Sequence, residues 1–161
     1  MSLKSLFNQT NLKLSKEKQD QLNEYAKLIL KWNKTRNLVS RNANLEAINE
    51  HILDCACLAP HLKEKNLLDV GSGAGLPGMV LSILDDEKNI RLLEPNQKKV
   101  SFLTHVQARF DLKNTKISRE RIENLSDFVA VGDTLKVRLL EKDREGRYNL
   151  SHKEFFKKKD A

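Results

Sequence analysis

Apolar residues recur every three or four positions between Ser15 and Ala59, a spacing typical of amphipathic helices. Ser15 is a predicted N-cap for a helix that runs to about Trp32. Asn44 is a predicted N-cap for a second helix, which runs to about Ala59 and is stopped by Pro60. The predicted buried faces are Leu22, Tyr25, Ala26, Ile29 and Trp32 in the first helix, and Ile48, Ile52, Cys55, Ala56 and Ala59 in the second. Residues 1–60 are therefore expected to form an N-terminal helical segment.

The pattern changes near Asn66, where short apolar runs typical of buried strands begin. The predicted strands are Leu67–Val70, Ile90–Leu93 and Thr115–Ser118, and the predicted helices between them are Met79–Leu84 and about Gln97 to Phe110. Alternation of strands and helices predicts an α/β fold with the start of a doubly wound, Rossmann-like parallel sheet. We assign this domain to residues 61–123.

The C-terminal segment, residues 124–161, has a different pattern. Leu135, Val137 and Leu139 alternate with cationic residues, which predicts a half-exposed strand over residues 134–140. A turn at Asp143–Gly146 and a returning strand at Arg147–Leu150 complete a predicted β-hairpin.

Composition sets the broad class of the 161-residue chain, which is 39% hydrophobic and 32% charged. These values predict a soluble globular protein and exclude a fibre or a wholly disordered chain. No apolar run approaches the length of a membrane helix, and the N-terminus lacks the apolar stretch of a signal peptide, so we expect a cytoplasmic protein. Cys55 and Cys57 would lie on different helix faces, so neither a disulfide framework nor a metal site is expected.

The net charge is +7, which favours an anionic partner, most commonly a nucleic acid. The candidates for binding the phosphates of such a partner are Lys31, Lys34, Arg36 and Arg41, at and after the end of the first predicted helix. A solvated helix end explains the same four residues about equally well.

Three glycines, Gly71, Gly73 and Gly75, lie between the first predicted strand and the next helix. Glycine permits a sharp turn and a close ligand approach, and a helix N-terminus favours an anionic group. Glu94 ends the next strand, where a carboxylate can accept hydrogen bonds from the ribose hydroxyls of a nucleoside. The spacing predicts a nucleotide-type cofactor site.

Two cofactors compete for this loop. The stretch from Gly73 to Gly78 fits the dinucleotide pattern of nicotinamide enzymes. The tight turn, however, begins at Gly71, and Asp69 lies two residues before it. We associate this pattern with S-adenosylmethionine enzymes, where the acid stands near the methionine end of the ligand, so Asp69 is a candidate cofactor-binding residue with the three glycines. We favour S-adenosylmethionine, with a nicotinamide cofactor or a glycine turn without ligand as the alternatives.

Residues 1–123 resemble a family of bacterial 16S rRNA guanine-N7 methyltransferases, the glucose-inhibited-division B family. The resemblance rests on ordered stretches: Lys31-Trp32-Asn33-Lys34, Asn37-Leu38, His51-Ile52-Leu53-Asp54, Asp69 to Gly78, Lys98-Lys99, Phe102-Leu103 and Arg121-Ile122-Glu123. It implies a Rossmann-like core that transfers a methyl group from S-adenosylmethionine to a guanine of 16S rRNA.

The same resemblance implies several site residues. Gly71 and Leu76 would line the cofactor pocket, and Glu94 would bind the ribose where the family often has Asp. Ile122 and Glu123 would flank the adenine. His51 and Asp54 would lie near the cofactor loop, although a local pair on the helix explains them as well.

The resemblance ends after Arg121-Ile122-Glu123, where the family's Ser-Arg-Ala motif and later strands have no counterpart. Residues 121 to about 154 instead resemble the C-terminal half of an S1 RNA-binding domain, of the kind that ends polynucleotide phosphorylase. The matching stretches are Arg121 to Phe128, Val131-Gly132-Asp133, Asp143 to Arg147 and Leu150-Ser151. We expect an incomplete methyltransferase core joined to half of an S1-like OB fold. The expected function is 16S rRNA methylation on the small ribosomal subunit, and the alternatives are an RNA-binding module or an inactive fusion.

Overall fold

A computed structural model describes residues 3–119, 138–142 and 148–151 of the chain. The helices within them are α1 (Leu3–Phe7), α2 (Lys16–Arg36), α3 (Leu45–Ala56), α4 (Gly78–Leu84) and α5 (Gln97–Arg109), with a 3₁₀ turn at Ala59–His61. The strands are β1 (Asn66–Val70), β2 (Asn89–Leu93), β3 (Thr115–Ser118), β4 (Arg138–Lys142) and β5 (Tyr148–Ser151).

Strands β1, β2 and β3 form a parallel sheet in that order, with Leu68 opposite Arg91 and Leu92 opposite Ile117. Helix α4 connects β1 to β2, and helix α5 connects β2 to β3. This arrangement confirms the predicted α/β class and the start of a Rossmann-like core. It also brings the C-terminal ends of β1 and β2 side by side, because neighbouring parallel strands end at the same edge.

Both predicted N-caps are confirmed. The Ser15 hydroxyl accepts a hydrogen bond of 3.2 Å from the Lys18 amide, and the Asn44 side chain accepts one of 2.9 Å from the Ala47 amide. Helix α2 continues four residues past the predicted Trp32 to Arg36, and it ends where Asn37 adopts a left-handed conformation with φ 50°.

Helix α3 ends at Ala56, earlier than the predicted Ala59. The Cys57 amide donates to the carbonyls of both Leu53 and Cys55, which tightens the last turn. Pro60 therefore lies inside the following 3₁₀ turn and does not stop α3 itself. Helix α1 was not predicted.

One core joins the helices to the sheet. Helix α4 is buried over its whole length and packs against β2, α2 and α3, while α5 packs against β3 and α2. The largest fully buried side chains include Tyr25, Phe102, Leu22, Ile29, Ile48, Ile52, Met79 and Leu103. Cys55 is buried and Cys57 is exposed, so the two thiols lie on different faces as expected.

Strands β4 and β5 pair in antiparallel fashion, as expected for the two strands of the predicted hairpin. The pairing register shifts between Leu139 and Glu141. The first half of the predicted strand, residues 134–137, and the predicted turn at 143–146 lie outside the described residues.

The part of the chain that the structure describes has neither a membrane-spanning helix nor a metal-binding cluster. No helix there is long and apolar enough to span a membrane. The same residues contain no group of three or more His, Cys, Asp or Glu side chains arranged to hold a metal ion.

Candidate functional site

The loop between β1 and α4 depends on backbone conformations that favour glycine. Gly71, Gly73 and Gly75 have φ values of 71°, 59° and 89°, in the left-handed region. The amides of Gly71 and Ser72 donate to the Leu93 carbonyl at 2.8 and 3.1 Å. The loop is therefore fastened to the end of β2, and its turn begins at Gly71, directly after β1.

Two of these glycines have very different surroundings. A Cβ built on Gly75 would lie 2.7 Å from Met79 Cβ, 2.9 Å from Leu103 Cδ2 and 3.0 Å from the Tyr25 hydroxyl. A Cβ built on Gly73 would meet only the Gly71 carbonyl oxygen, at 3.8 Å. The loop thus has a packed side at Gly75 and an open side at Gly73, where a ligand can approach the backbone.

Glu94 is the charged group beside the open side of the loop. The residue is 4% exposed and follows directly after β2, the middle strand, where the C-terminal ends of the strands meet. One oxygen, Oε2, accepts a hydrogen bond of 2.8 Å from the Gly73 amide, and Oε1 accepts one of 2.9 Å from the Asn96 amide. Because a carboxylate has about four acceptor positions, each oxygen can still accept a bond from a ligand hydroxyl.

Asp69 lies on β1 and is 6% exposed. Its Oδ2 accepts a hydrogen bond of 3.1 Å from the Gly78 amide, at the first residue of α4. A Cβ on Gly78 would lie 2.7 Å from the same oxygen and would collide with Leu92. The geometry gives Asp69 a structural contact that the sequence did not indicate: it fixes the far end of the glycine loop.

Tyr25 is the site residue that sequence reasoning missed. It was predicted only as part of a helix face, and its ring is indeed fully buried, stacked on Phe102 with centroids 6.3 Å apart. Its hydroxyl donates a 2.5 Å hydrogen bond to the Ala74 carbonyl inside the loop. Burial raises the pKa of Tyr25 well above 10.0, and negative charge on Cys55 and Asp69 adds to the effect. The sequence did offer a signal for this contact: a tyrosine on a predicted buried helix face needs a hydrogen-bond partner for its hydroxyl.

The remaining cofactor candidates are more dispersed. Leu76 is half-buried and precedes Pro77 through a cis peptide bond. His51 and Asp54 are both exposed on α3. Ile122 and Glu123 lie outside the described residues.

The four candidate RNA-binding cations do not share one environment. Lys31, Lys34 and Arg41 are exposed, and Arg36 is half-buried with its guanidinium carbon 5.7 Å from the centre of the Trp32 ring. Lys34 and Arg41 line one cleft, which Lys31 and Arg36 do not line. The structure therefore separates the four residues into a pair that lines the cleft, Lys34 and Arg41, and a pair outside it, Lys31 and Arg36.

The chain matches a known protein family over most of its length. Residues 18–142 match the family model for rRNA small subunit methyltransferase G, and the matched range extends past residue 123, where the sequence resemblance was expected to end. Proteins of that name are 40% identical over 114 residues in Ruthia magnifica subsp. Calyptogena magnifica, and 39% identical over 121 residues in Vibrio campbellii. These alignments cover 71% and 75% of this chain, and 56% and 57% of the two relatives. The chain thus spans about half the length of the curated relatives it matches.

Proposed function

The chain belongs to the rRNA small subunit methyltransferase G family, and on that premise we propose that it is an S-adenosylmethionine-dependent methyltransferase acting on guanine N7 in 16S rRNA. The observation that carries the proposal is the buried Glu94 carboxylate, which bonds to Gly73 on the open side of the glycine loop. The proposed substrate is the small ribosomal subunit or its free RNA, which makes the cytoplasm the proposed location.

The residues present fit the cofactor. The ribose hydroxyls of S-adenosylmethionine are donors, and Glu94 is a fixed acceptor whose two oxygens are held by backbone amides. The open side of the loop at Gly73 leaves room for the ligand without a Cβ in the way. Gly71, Gly75 and Leu76 would line the rest of the cofactor pocket. Asp69 would stabilise the loop by accepting the hydrogen bond from the Gly78 amide. We extend the proposal to Ile122 and Glu123 beside the adenine, and to His51 and Asp54 near the loop, on the family resemblance.

Methyl transfer to guanine N7 requires the protein mainly to position the two reactants. S-adenosylmethionine supplies a methyl group on a sulfonium that is already activated, and guanine N7 offers a free lone pair. No general base is then needed, and holding the two reactants in line is the main contribution, worth several kcal/mol. Glu94 and the glycine loop would fix one reactant, and some of the four candidate cations near the end of α2 would hold the RNA through its phosphates.

The C-terminal hairpin supports a second, subordinate proposal. We propose that residues 124–161 are an S1-like segment that adds RNA affinity, and the antiparallel pairing of β4 with β5 agrees with two strands of such a fold. Hydrogen exchange of the full chain with and without single-stranded RNA tests this directly. Slower exchange of the β4 and β5 amides on adding RNA is the expected result, and unchanged exchange there would remove the segment from the RNA-binding surface.

A thermal melt of the full chain with S-adenosylmethionine, and separately with NADH, tests the cofactor. Ligand at about 100 times its dissociation constant stabilises a protein by roughly 2.7 kcal/mol. We expect a rise in melting temperature of several degrees with S-adenosylmethionine and none with NADH. A shift with NADH alone would favour the dinucleotide alternative, and a cooperative melt without any shift would favour an RNA-binding module or an inactive fusion.

Methyl transfer needs its own assay, because cofactor binding alone does not establish activity. Small subunits that lack the modification would be incubated with the full chain and methyl-labelled S-adenosylmethionine, and the RNA digested to nucleosides. Label in 7-methylguanosine is the expected product. Cofactor binding without label in any nucleoside would contradict the proposed reaction while leaving the cofactor site intact.

A further inference from the structure

A cleft of about 510 Å³ lies where the end of α2 meets the loop that follows it. This volume falls within the range of small-molecule and nucleotide pockets. Its lining includes Leu30 and Ala43 on the apolar side, and Lys34, Asn37 and Arg41 on the polar side. The cleft is built entirely from residues 30–43, so it is separate from the glycine loop.

The walls of the cleft are held in place by Asn33, which is 7% exposed. Its amide nitrogen donates to the Ser40 carbonyl at 2.9 Å, and its Oδ1 accepts from the Val39 amide at 3.0 Å. Leu38, in the same loop, is buried and belongs to the hydrophobic core. Since the buried Asn33 side chain bonds to both the Val39 amide and the Ser40 carbonyl, the loop is held against α2 before any ligand arrives.

The polar side of the cleft offers donors and positive charge. Lys34 and Arg41 are cations, Asn37 carries an amide, and none of the described residues that line the cleft is acidic. Among the described residues, neither Lys34 nor Arg41 takes part in an ion pair. Two uncompensated cations at a preformed concavity favour an anionic ligand, and Arg and Lys are the residues that recognise phosphate.

We propose that this cleft binds the phosphate backbone of single-stranded RNA, with Lys34 and Arg41 each contacting a phosphate. The choice of RNA as the partner rests on the proposed function. It goes further in selecting two of the four candidate cations and excluding Lys31 and Arg36. Arg36 is excluded because it lies over the Trp32 ring, outside the cleft.

The competing explanation is that the cations only complement the helix dipole. Lys34 and Arg36 both lie in the last turn of α2, where positive charge is favourable. That role predicts a change in stability on removing either residue, and no special change in RNA binding for the cleft pair. The two explanations therefore differ in the salt dependence of RNA affinity.

The test compares two double variants of the full chain, Lys34→Gln with Arg41→Gln, and Lys31→Gln with Arg36→Gln. Both remove two positive charges from α2 and the loop that follows it, so they are matched in net charge. The probe is a fluorescein-labelled single-stranded RNA decamer, and its affinity is measured by anisotropy between about 50 and 200 mM salt. Thermal melts of each variant check that the fold is retained.

Each phosphate contact contributes about −0.7 to the slope of log affinity against log salt for single strands. The cleft variant is expected to reduce the steepness of that slope by about 1.4, and the control variant to leave it unchanged. An equal reduction of the slope in both variants would overturn the proposed role of the cleft in favour of a diffuse basic edge. The proposed function would then still stand. A wild-type chain that responds to S-adenosylmethionine but binds no RNA would overturn both the cleft and the RNA substrate.

Discussion

The hydroxyl of Tyr25 donates a 2.5 Å hydrogen bond to the carbonyl of Ala74, and this contact joins helix α2 to the middle of the glycine loop. The ring is fully buried and stacks on Phe102, so the position of the hydroxyl is set by packing. The same oxygen lies 3.0 Å from where a Cβ on Gly75 would be. The shape of the candidate cofactor loop therefore depends on a residue of the N-terminal helical segment.

Replacing Tyr25 by Phe keeps the packed ring and removes this hydrogen bond. We expect unfolding in denaturant to show a loss of about 1 kcal/mol, since the Ala74 carbonyl loses its phenol donor. S-adenosylmethionine should also bind more weakly, because the loop is less firmly held. Thr35→Val is a control on the same helix, since it removes an exposed hydroxyl that donates to the Trp32 carbonyl. Cofactor binding by Tyr25→Phe that equals that of the wild-type chain and of Thr35→Val would contradict this role.

The pH dependence of stability should also report on Tyr25. Burial raises the pKa of its hydroxyl well above 10.0 in the folded chain, so the folded state disfavours the ionised phenol. In the unfolded chain a tyrosine ionises near its ordinary pKa of about 10. The stabilisation of the folded state by the neutral Tyr25 hydroxyl is therefore complete below about pH 10, and it is lost as the pH rises through the folded pKa. Denaturant unfolding at a series of alkaline pH values should show a steeper fall for the wild-type chain than for Tyr25→Phe. Parallel curves would contradict the raised pKa.

Much of the fold could be predicted from local sequence signals. Ser15 and Asn44 are caps whose side chains satisfy helix amides, and such contacts depend only on neighbouring residues. The third strand was predicted with its observed bounds, Thr115–Ser118, because Thr115 and Ile117 alternate with polar residues after a clear helix. Helix ends were less predictable: the end of α2 depends on Asn37 adopting a left-handed conformation, which the residue type permits but does not require.

The candidate site was predictable in its residues but not in its contacts. The motif indicated the glycine loop and Glu94, and the structure brings Glu94 to Gly73. The hydrogen bonds that the Gly78 amide donates to Asp69 and that the Tyr25 hydroxyl donates to Ala74 join residues that are far apart in the chain or on different elements. Such contacts follow from the packing of helices on the sheet, which residue spacing alone does not specify. The cleft beside Lys34 and Arg41 depends in the same way on how the loop folds around Asn33.

Alanine at Gly75 and alanine at Gly73 should have unequal effects on stability. Both positions have positive φ, so both variants carry a backbone penalty of roughly 1–2 kcal/mol. Only at Gly75 would the new methyl also press on Met79, Leu103 and the Tyr25 hydroxyl. Overpacking of this kind adds roughly 1–3 kcal/mol. Denaturant unfolding of the two variants is expected to rank Gly75→Ala as clearly the less stable, and equal stabilities would show that the packed side can relax.

Replacing Glu94 by Gln tests the residue on which the cofactor proposal depends. An amide has the same shape as the carboxylate, but it has one acceptor oxygen in place of two, and its NH₂ group would face either the Gly73 or the Asn96 amide as a second donor. We expect a moderate loss of stability, about 1–3 kcal/mol, since a buried donor loses its charged partner. The shift in melting temperature caused by S-adenosylmethionine should be lost, because a ribose hydroxyl no longer finds a free carboxylate oxygen.

The matched control for this variant is Glu87→Gln, which makes the same change of charge at an exposed residue on the turn between α4 and β2. It should leave both the melting temperature and the response to S-adenosylmethionine unchanged. If Glu94→Gln folds and its response to the cofactor equals that of the control, the carboxylate only fastens the loop to the sheet edge. The ribose would then have to be recognised elsewhere, and the proposed cofactor site would lose its main support.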